Sequence, residues 1–235
     1  MKKGLYVSTG LLSLSGGLLF FAAMFLLVKY FGYPNIIRAE PSILLGKLYE
    51  QKEFVPFIYY LGIGVGGICV LFATLLSRKV FELHGDEIWS YLGSFCGLLS
   101  GFLLYTGIIR YTFLFPFLAE KRVLGIYDAA VIDAIFQAFN QYVGNSLAEH
   151  AQFTFTSLYL VCFGIAILTT KLVPRWVAFL GFIFAAVIIY GNGEFFGLPG
   201  AFIANRIGSG LMALWLVTYG ISLIWKSCER EEIGS

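Results

Sequence analysis

The sequence predicts an all-α, polytopic membrane protein: a bundle of six transmembrane helices with short amphipathic helices on its outer face. Three observations carry that fold class. Hydrophobic residues make up 59% of the 235-residue chain and charged residues only 13%, about half the charged share of an ordinary soluble domain. Mean hydropathy is high, at +0.82. Six stretches lack Asp, Glu, Lys and Arg altogether: Gly4–Val28, Phe54–Ser77, Ile88–Ile109, Ala151–Thr170, Trp176–Gly193 and Ile207–Trp225. Each is long enough to cross a hydrocarbon core of about 30 Å as a helix. Helix is the expected form, because lipid leaves unpaired backbone groups without partners. The length suits one domain, residues 1–235.

The first span, about residues 4–31, is too long and too rich in Gly and Ser for a simple signal peptide. A short interfacial helix is expected over about 41–52, entered through Pro41. The second span covers about 54–77, with Gly62 and Gly66 spaced for close helix contact. The third, about 88–115, repeats that spacing at Gly93, Gly97 and Gly101 and then meets Arg110. In the segment 127–145, Val131, Ile132, Ile135, Phe136, Phe139, Tyr142 and Val143 fall on one helical stripe. Asp133, Gln137, Asn140 and Gln141 fall opposite, so this segment is expected to lie on the membrane surface or to cap the bundle. Spans of about 147–170, 175–193 and 203–226 complete the set.

Lys2, Lys3, Arg78, Lys79, Lys171, Arg175, Lys226 and Arg230 hug the termini and the even-numbered turns. That placement predicts cytoplasmic termini in a multi-pass protein of a bacterial-type inner (cell) membrane. Membrane lipids are the expected partners, with a protein partner or a homo-oligomer also compatible. A net charge of +2 with no basic run excludes nucleic acid.

The few deep charges fall at one side of the predicted bundle. Ionisable groups at membrane depth are costly and are kept where they pair, line a cavity or carry a function. The candidate ligand-binding residues are Arg110, Glu149, His150, Gln152, Thr156, Glu194 and Arg206. Glu149, Gln152 and Thr156 share a helical stripe that continues into the membrane, as a lined cavity would require. Two ion pairs would neutralise the cluster instead: Arg110 with Glu149, and Glu194 with Arg206.

Sharper chemistries find little support. Zinc sites need three or four ligands, and the chain has two histidines, of which His84 lies on the opposite side from His150. Glu149, His150 and Glu194 together offer a carboxylate–histidine set, but no metal and no cofactor is expected. No phosphate-binding loop, dinucleotide fingerprint, Gly-x-Ser-x-Gly or His-Glu-x-x-His occurs. Cys69, Cys96 and Cys162 read as small apolar residues within spans. Cys228 is a weak candidate for palmitoylation.

Four segments together resemble a known family. They are Gly107-Ile-Ile-Arg-Tyr-Thr-Phe-Leu-Phe-Pro-Phe-Leu-Ala119, Asn140-Gln-Tyr-Val-Gly-Asn-Ser-Leu-Ala-Glu-His150, the Pro174-Arg-Trp176 start of the fifth span and the final helix with Trp215. In order, they resemble the polytopic prokaryotic membrane proteins grouped as domain of unknown function 4386. The matching positions include Arg110, Pro116, Gly144, Glu149, His150 and Trp176, while Tyr111 and Ala148 depart from the expected Trp and Gly. The resemblance implies a multi-span architecture and supplies no reaction.

Three classes of function follow. A binding or transport protein would take a small polar ligand or lipid headgroup in an outer-facing pocket. A non-catalytic subunit or scaffold would dock a larger complex. An intramembrane enzyme would use His150 as a base beside Glu149. The absence of an internal repeat counts against a complete secondary transporter.

Overall fold

A computed structural model describes residues 2–232, with side chains described over 3–229; Lys2 and Arg230, which entered the orientation expectation, lie outside the described side chains. The described chain is helical from end to end, with no strand. Its main elements are α1 (Lys2–Phe31), α2 (Pro41–Glu50), α3 (Phe54–Glu82), α4 (Ile88–Val123), α5 (Ala129–Thr170), α6 (Arg175–Gly191) and α7 (Ala201–Glu232). All but α2 are long and apolar enough to cross a membrane, which makes this a multi-pass membrane protein.

Local chemistry sets the element ends. Pro41 occupies the first turn of α2, where its missing N–H costs nothing. Asp128 caps α5, its carboxylate accepting from the Ala130 and Val131 amides at 2.9 and 3.2 Å. Lys171 closes α5 in the left-handed region at φ 52°.

Two elements run further than their charge-free cores suggest. Helix α4 continues past Pro116, because a π-helical stretch at Arg110–Leu114 has already interrupted the i→i−4 ladder there. A proline with no N–H is tolerated at such an interruption. The amphipathic segment around 127–145 is not a separate surface helix. It joins the following span through a π-helical stretch at Asn140–Ala151, giving one helix of 42 residues. At 1.5 Å per residue that is about 60 Å, twice the hydrocarbon thickness. The α4–α5 hairpin is therefore longer than the other crossing pairs, and Arg122 pairs with Asp133 across it through two bonds of 2.7 and 3.0 Å.

Neighbours in sequence are neighbours in space. Helix α3 packs on α1 and α4, α5 on α4 and α6, and α7 on α6 and back on α1, closing a ring. Glycines make the closing seam tight: a Cβ on Gly220 would lie 2.6 Å from the Gly10 carbonyl, and one on Gly17 would lie 2.8 Å from the Ala213 carbonyl. The glycines of α4 serve contacts inside the monomer as well, Gly93 against Phe163 and Gly97 against Tyr159.

Two apolar cores fill the ring. One, around Phe81, Phe163, Trp215 and Tyr219, occupies the end that holds His84. Trp215 donates to the Val177 carbonyl at 3.0 Å and Tyr219 to the Ser77 hydroxyl at 3.0 Å. The other core gathers Leu27, Phe31, Tyr59, Tyr111, Phe115 and Phe136. Helix α2 belongs to it. Leu44, Leu45 and Leu48 are fully buried against the far part of the α4–α5 hairpin, so this helix is packed as well as peripheral.

Candidate functional site

Three crossing helices carry π-helical stretches: Tyr59–Val65 in α3, Arg110–Leu114 in α4 and Asn140–Ala151 in α5. All three converge on one cavity. Tyr59, Ile63, Arg110, Tyr111, Ala148 and Glu149 line it from those stretches. Helix α7 contributes Asn205, Arg206 and Ser209, and the segment between α1 and α2 contributes Tyr33, Ile37 and Arg38. The cavity measures about 80 Å³, enough for several waters or a small polar group. π-Helical turns are rare and cluster at functional sites, because each one trades helix regularity for a re-aimed side chain.

The charges are arranged in a way the sequence did not disclose. Arg38, a residue of the connection after α1, forks onto Glu194 with Nε at 3.0 Å and Nη2 at 2.9 Å. The same Nη2 donates to Glu149 at 3.3 Å. One guanidinium thus ties α5 to the turn after α6. Burial works to lower the Arg38 pKa, but Glu149 and Glu194 outweigh it and hold the pKa above its usual value. Burial, reinforced by Glu149, pushes the neighbouring Tyr33 phenol well up, so it stays protonated.

Both expected ion pairs are therefore replaced. Glu149 pairs with Arg38 rather than Arg110, and Glu194 pairs with Arg38 rather than Arg206. The physical reason is reach: the short helical turn Asn35–Arg38 folds over the charged end and carries its guanidinium between the two carboxylates. The sequence signal was present as the one arginine of the connection after α1, outside every charge-free span.

Arg110 is buried, with 9% of its surface exposed. Its guanidinium donates to the Gly107 carbonyl and makes a long 3.5 Å contact with the Asn140 amide oxygen. It lies 4.9 Å from the centre of the Tyr111 ring and 5.6 Å from that of Phe115. Gly144 makes room for it, since a Cβ there would come within 2.5 Å of Nη2. Gly107 fits against Ala148, where an added Cβ would collide. This is a packed, pre-oriented cation, and its Nε has no hydrogen-bond partner among the described residues.

Arg206 is different again. Its guanidinium stands 5.1 Å from the Phe202 ring, and its buried Nε has no hydrogen-bond partner among the described residues. No ion pair reaches it among the described residues. The site thus holds three guanidiniums against two carboxylates, with both carboxylates already engaged by Arg38.

The other expected residues divide. Gln152 lines the cavity, and its amide donates to Thr156 at 2.7 Å and to Ser100 at 3.1 Å. Its oxygen is buried without a partner among the described residues. Thr156 is buried in that network, bonded to Ser100 at 2.6 Å, and does not line the cavity. His150 does not line it either. Its ring sits edge-on to Phe195 and Phe196, at 5.6 and 6.0 Å between centroids, while its carbonyl accepts from Asn192 and Thr154. Among the described residues no group of three or more His, Cys, Asp or Glu side chains is placed to hold a metal ion.

A family model matches residues 8–224, and its description reads Domain of unknown function (DUF4386). No curated protein and no solved structure matches the chain.

Proposed function

The chain belongs to this family of unknown function, and for it we propose an anion-binding role: the cavity at the charged end of the bundle holds a small anionic group, carried by a free solute or by a lipid headgroup. The observation that carries the reading is Arg206, a half-buried guanidinium beside a cavity with no carboxylate partner among the described residues. An unpaired cation at membrane depth is costly unless something anionic completes it. Arg110 supports the same reading, held rigid by two glycines and two aromatic rings in a region that three π-helical stretches shape. Guanidinium forks suit carboxylate and phosphate better than any other group.

The catalytic alternative has less to stand on, since His150 lies against Phe195 and Phe196 instead of the cavity. The test is thermal unfolding in lipid nanodiscs with inorganic phosphate, sulfate or acetate at constant ionic strength. One of these anions should raise the Tm of the wild type by several degrees, since ligand at about 100 times its Kd adds about 2.7 kcal/mol. Arg206→Gln should remove that rise while leaving the unliganded Tm within about 2 °C. Equal responses from the wild type and Arg206→Gln would defeat the proposal.

A further inference from the structure

At the end of the bundle away from the charged cavity, the turn between α5 and α6 meets the last turns of α7 around an open crevice of about 360 Å³. Lys171, Arg175 and Lys226 line it, together with Ser222, Trp225 and Glu229. The turn is fixed from below, because Leu172 and Val173 are buried in the core that holds Phe163 and Trp215. Lys171 and Arg175 stand exposed above that anchor. Glu229 takes Lys226 at 2.9 Å, while neither Lys171 nor Arg175 has an ion pair among the described residues. Three cations thus face one carboxylate that is already engaged. Pro174 enters α6 here with no side-chain cap, so the helix end adds its partial positive charge to theirs. The same face of the bundle offers a comparison. Between α3 and α4 another crevice holds Arg78 and Lys79, but Glu82 takes both, at 2.8 and 3.3 Å, and Glu87 lines it as well. Charge is balanced there and in surplus beside α6.

We infer that this crevice binds the phosphate of an anionic phospholipid from the leaflet at the His84 end of the bundle. Basic pockets between crossing helices at the membrane surface recognise anionic headgroups by charge and by hydrogen bonding. The site is separate from the anion cavity at Arg206, which lies at the other end. Its depth suits a headgroup, since residues 171–174 connect two crossing helices and so lie where those helices leave the hydrocarbon. Trp225 in the crevice and Trp176 beside Arg175 are both exposed, as tryptophans at a membrane interface are. What favours a lipid over free phosphate is the surface one turn deeper. Phe179 lies four residues beyond Arg175 on α6, and Ile221 four residues before Trp225 on α7, and both are exposed. A phosphate held by the Arg175 fork and the Lys171 ammonium therefore leaves its acyl chains against apolar side chains, where a free anion has nothing to gain.

The experiment titrates the full chain in detergent micelles with phosphatidylglycerol or phosphatidylcholine of the same acyl chains and reads the first bound lipid by native mass spectrometry. Each cation near an anionic headgroup is worth about fivefold in affinity. Phosphatidylglycerol is therefore expected to bind at least tenfold tighter than phosphatidylcholine. The double variant Lys171→Gln/Arg175→Gln should cut that preference to under threefold, with a Tm within about 2 °C of the wild type because both side chains are exposed. Arg175→Lys, which keeps the charge, should hold the preference within about threefold of the wild type, a control for folding. Arg78→Gln/Lys79→Gln removes as many cations from the same face and should change the preference by less than twofold. Arg206→Gln should leave it unchanged. Equal binding of the two lipids would overturn the inference, and so would equal losses in the two double variants, which would mean diffuse attraction without a site. A preference lost in Arg206→Gln but kept in Lys171→Gln/Arg175→Gln would place the lipid in the other cavity and overturn it too. Glycerol 3-phosphate is expected not to displace the lipid; displacement at equal concentration would make this a site for free phosphate.

Discussion

Arg38 decides the electrostatics of the site although it belongs to no membrane span. Its side chain is 31% exposed, against 17% for Glu149 and 20% for Glu194, so the cluster is partly screened rather than dry. The two contacts are unequal: a bidentate fork to Glu194 and a single longer bond to Glu149. A double-mutant cycle should therefore return a larger coupling for Arg38 with Glu194 than for Arg38 with Glu149, within a range of about 0.5–2 kcal/mol. The readout is thermal or denaturant unfolding of Arg38→Met, Glu194→Gln, Glu149→Gln and the two doubles. Equal couplings would mean that the fork is not the dominant contact. What the sequence disclosed at this scale was the set of costly charges at the ends of long apolar runs. Their partners were hidden, because Arg38 sits in a connection whose fold depends on packing over the bundle and not on any local pattern.

At the scale of elements, the spans were legible and their distortions were not. Charge-free length marks a crossing helix, and the six runs in the sequence correspond to the six crossing helices. No residue pattern marks a π-helical stretch, since Tyr59–Val65, Arg110–Leu114 and Asn140–Ala151 have only a Tyr and a Leu in common, at different spacings. Of the amphipathic stripe over 127–145 only Ile132 and Phe136 are buried, while Val131, Ile135, Phe139 and Tyr142 are exposed, and the stripe alone does not tell a surface helix from the projecting half of a long one. The π geometry of Asn140–Ala151 is what joins the two halves while aiming Glu149 at Arg38. Deleting Asn145 removes one residue from that stretch and turns everything after it by about 100° relative to the part before. Helical content by circular dichroism should stay within a few per cent of the wild type. The anion-dependent rise in Tm should disappear. Retention of that rise would show that the aim of Glu149 and Gln152 does not depend on the π register.

At the scale of the whole molecule, the ring closes through the contact of α1 with α7, and glycines set its width. A side chain on Gly220 would meet backbone atoms at 2.6 Å on Gly10 and 2.8 Å on Leu14, neither of which can rotate away. Gly220→Val should lower stability by about 3 kcal/mol or more, at the upper end of overpacking costs. Gly4→Ala, in the same helix pair but with nothing within 4 Å of its Cβ, should leave the unfolding temperature unchanged or slightly raised. If Gly220→Val unfolds with Gly4→Ala, the seam is looser than its geometry implies. Because each helix otherwise leans on its neighbour in sequence, most of the bundle is assembled from local contacts. The exception has a consequence for biogenesis. While the ribosome is still making the chain, α1 waits with its glycine face uncovered until α7 enters the bilayer, the longest wait for any pair in the protein. Arg206 and Ser209 arrive on that same last helix. A nascent chain stalled after α6 thus holds five crossing helices and no finished binding chamber, and the final insertion step is at once the latch of the ring and the moment the site comes into being.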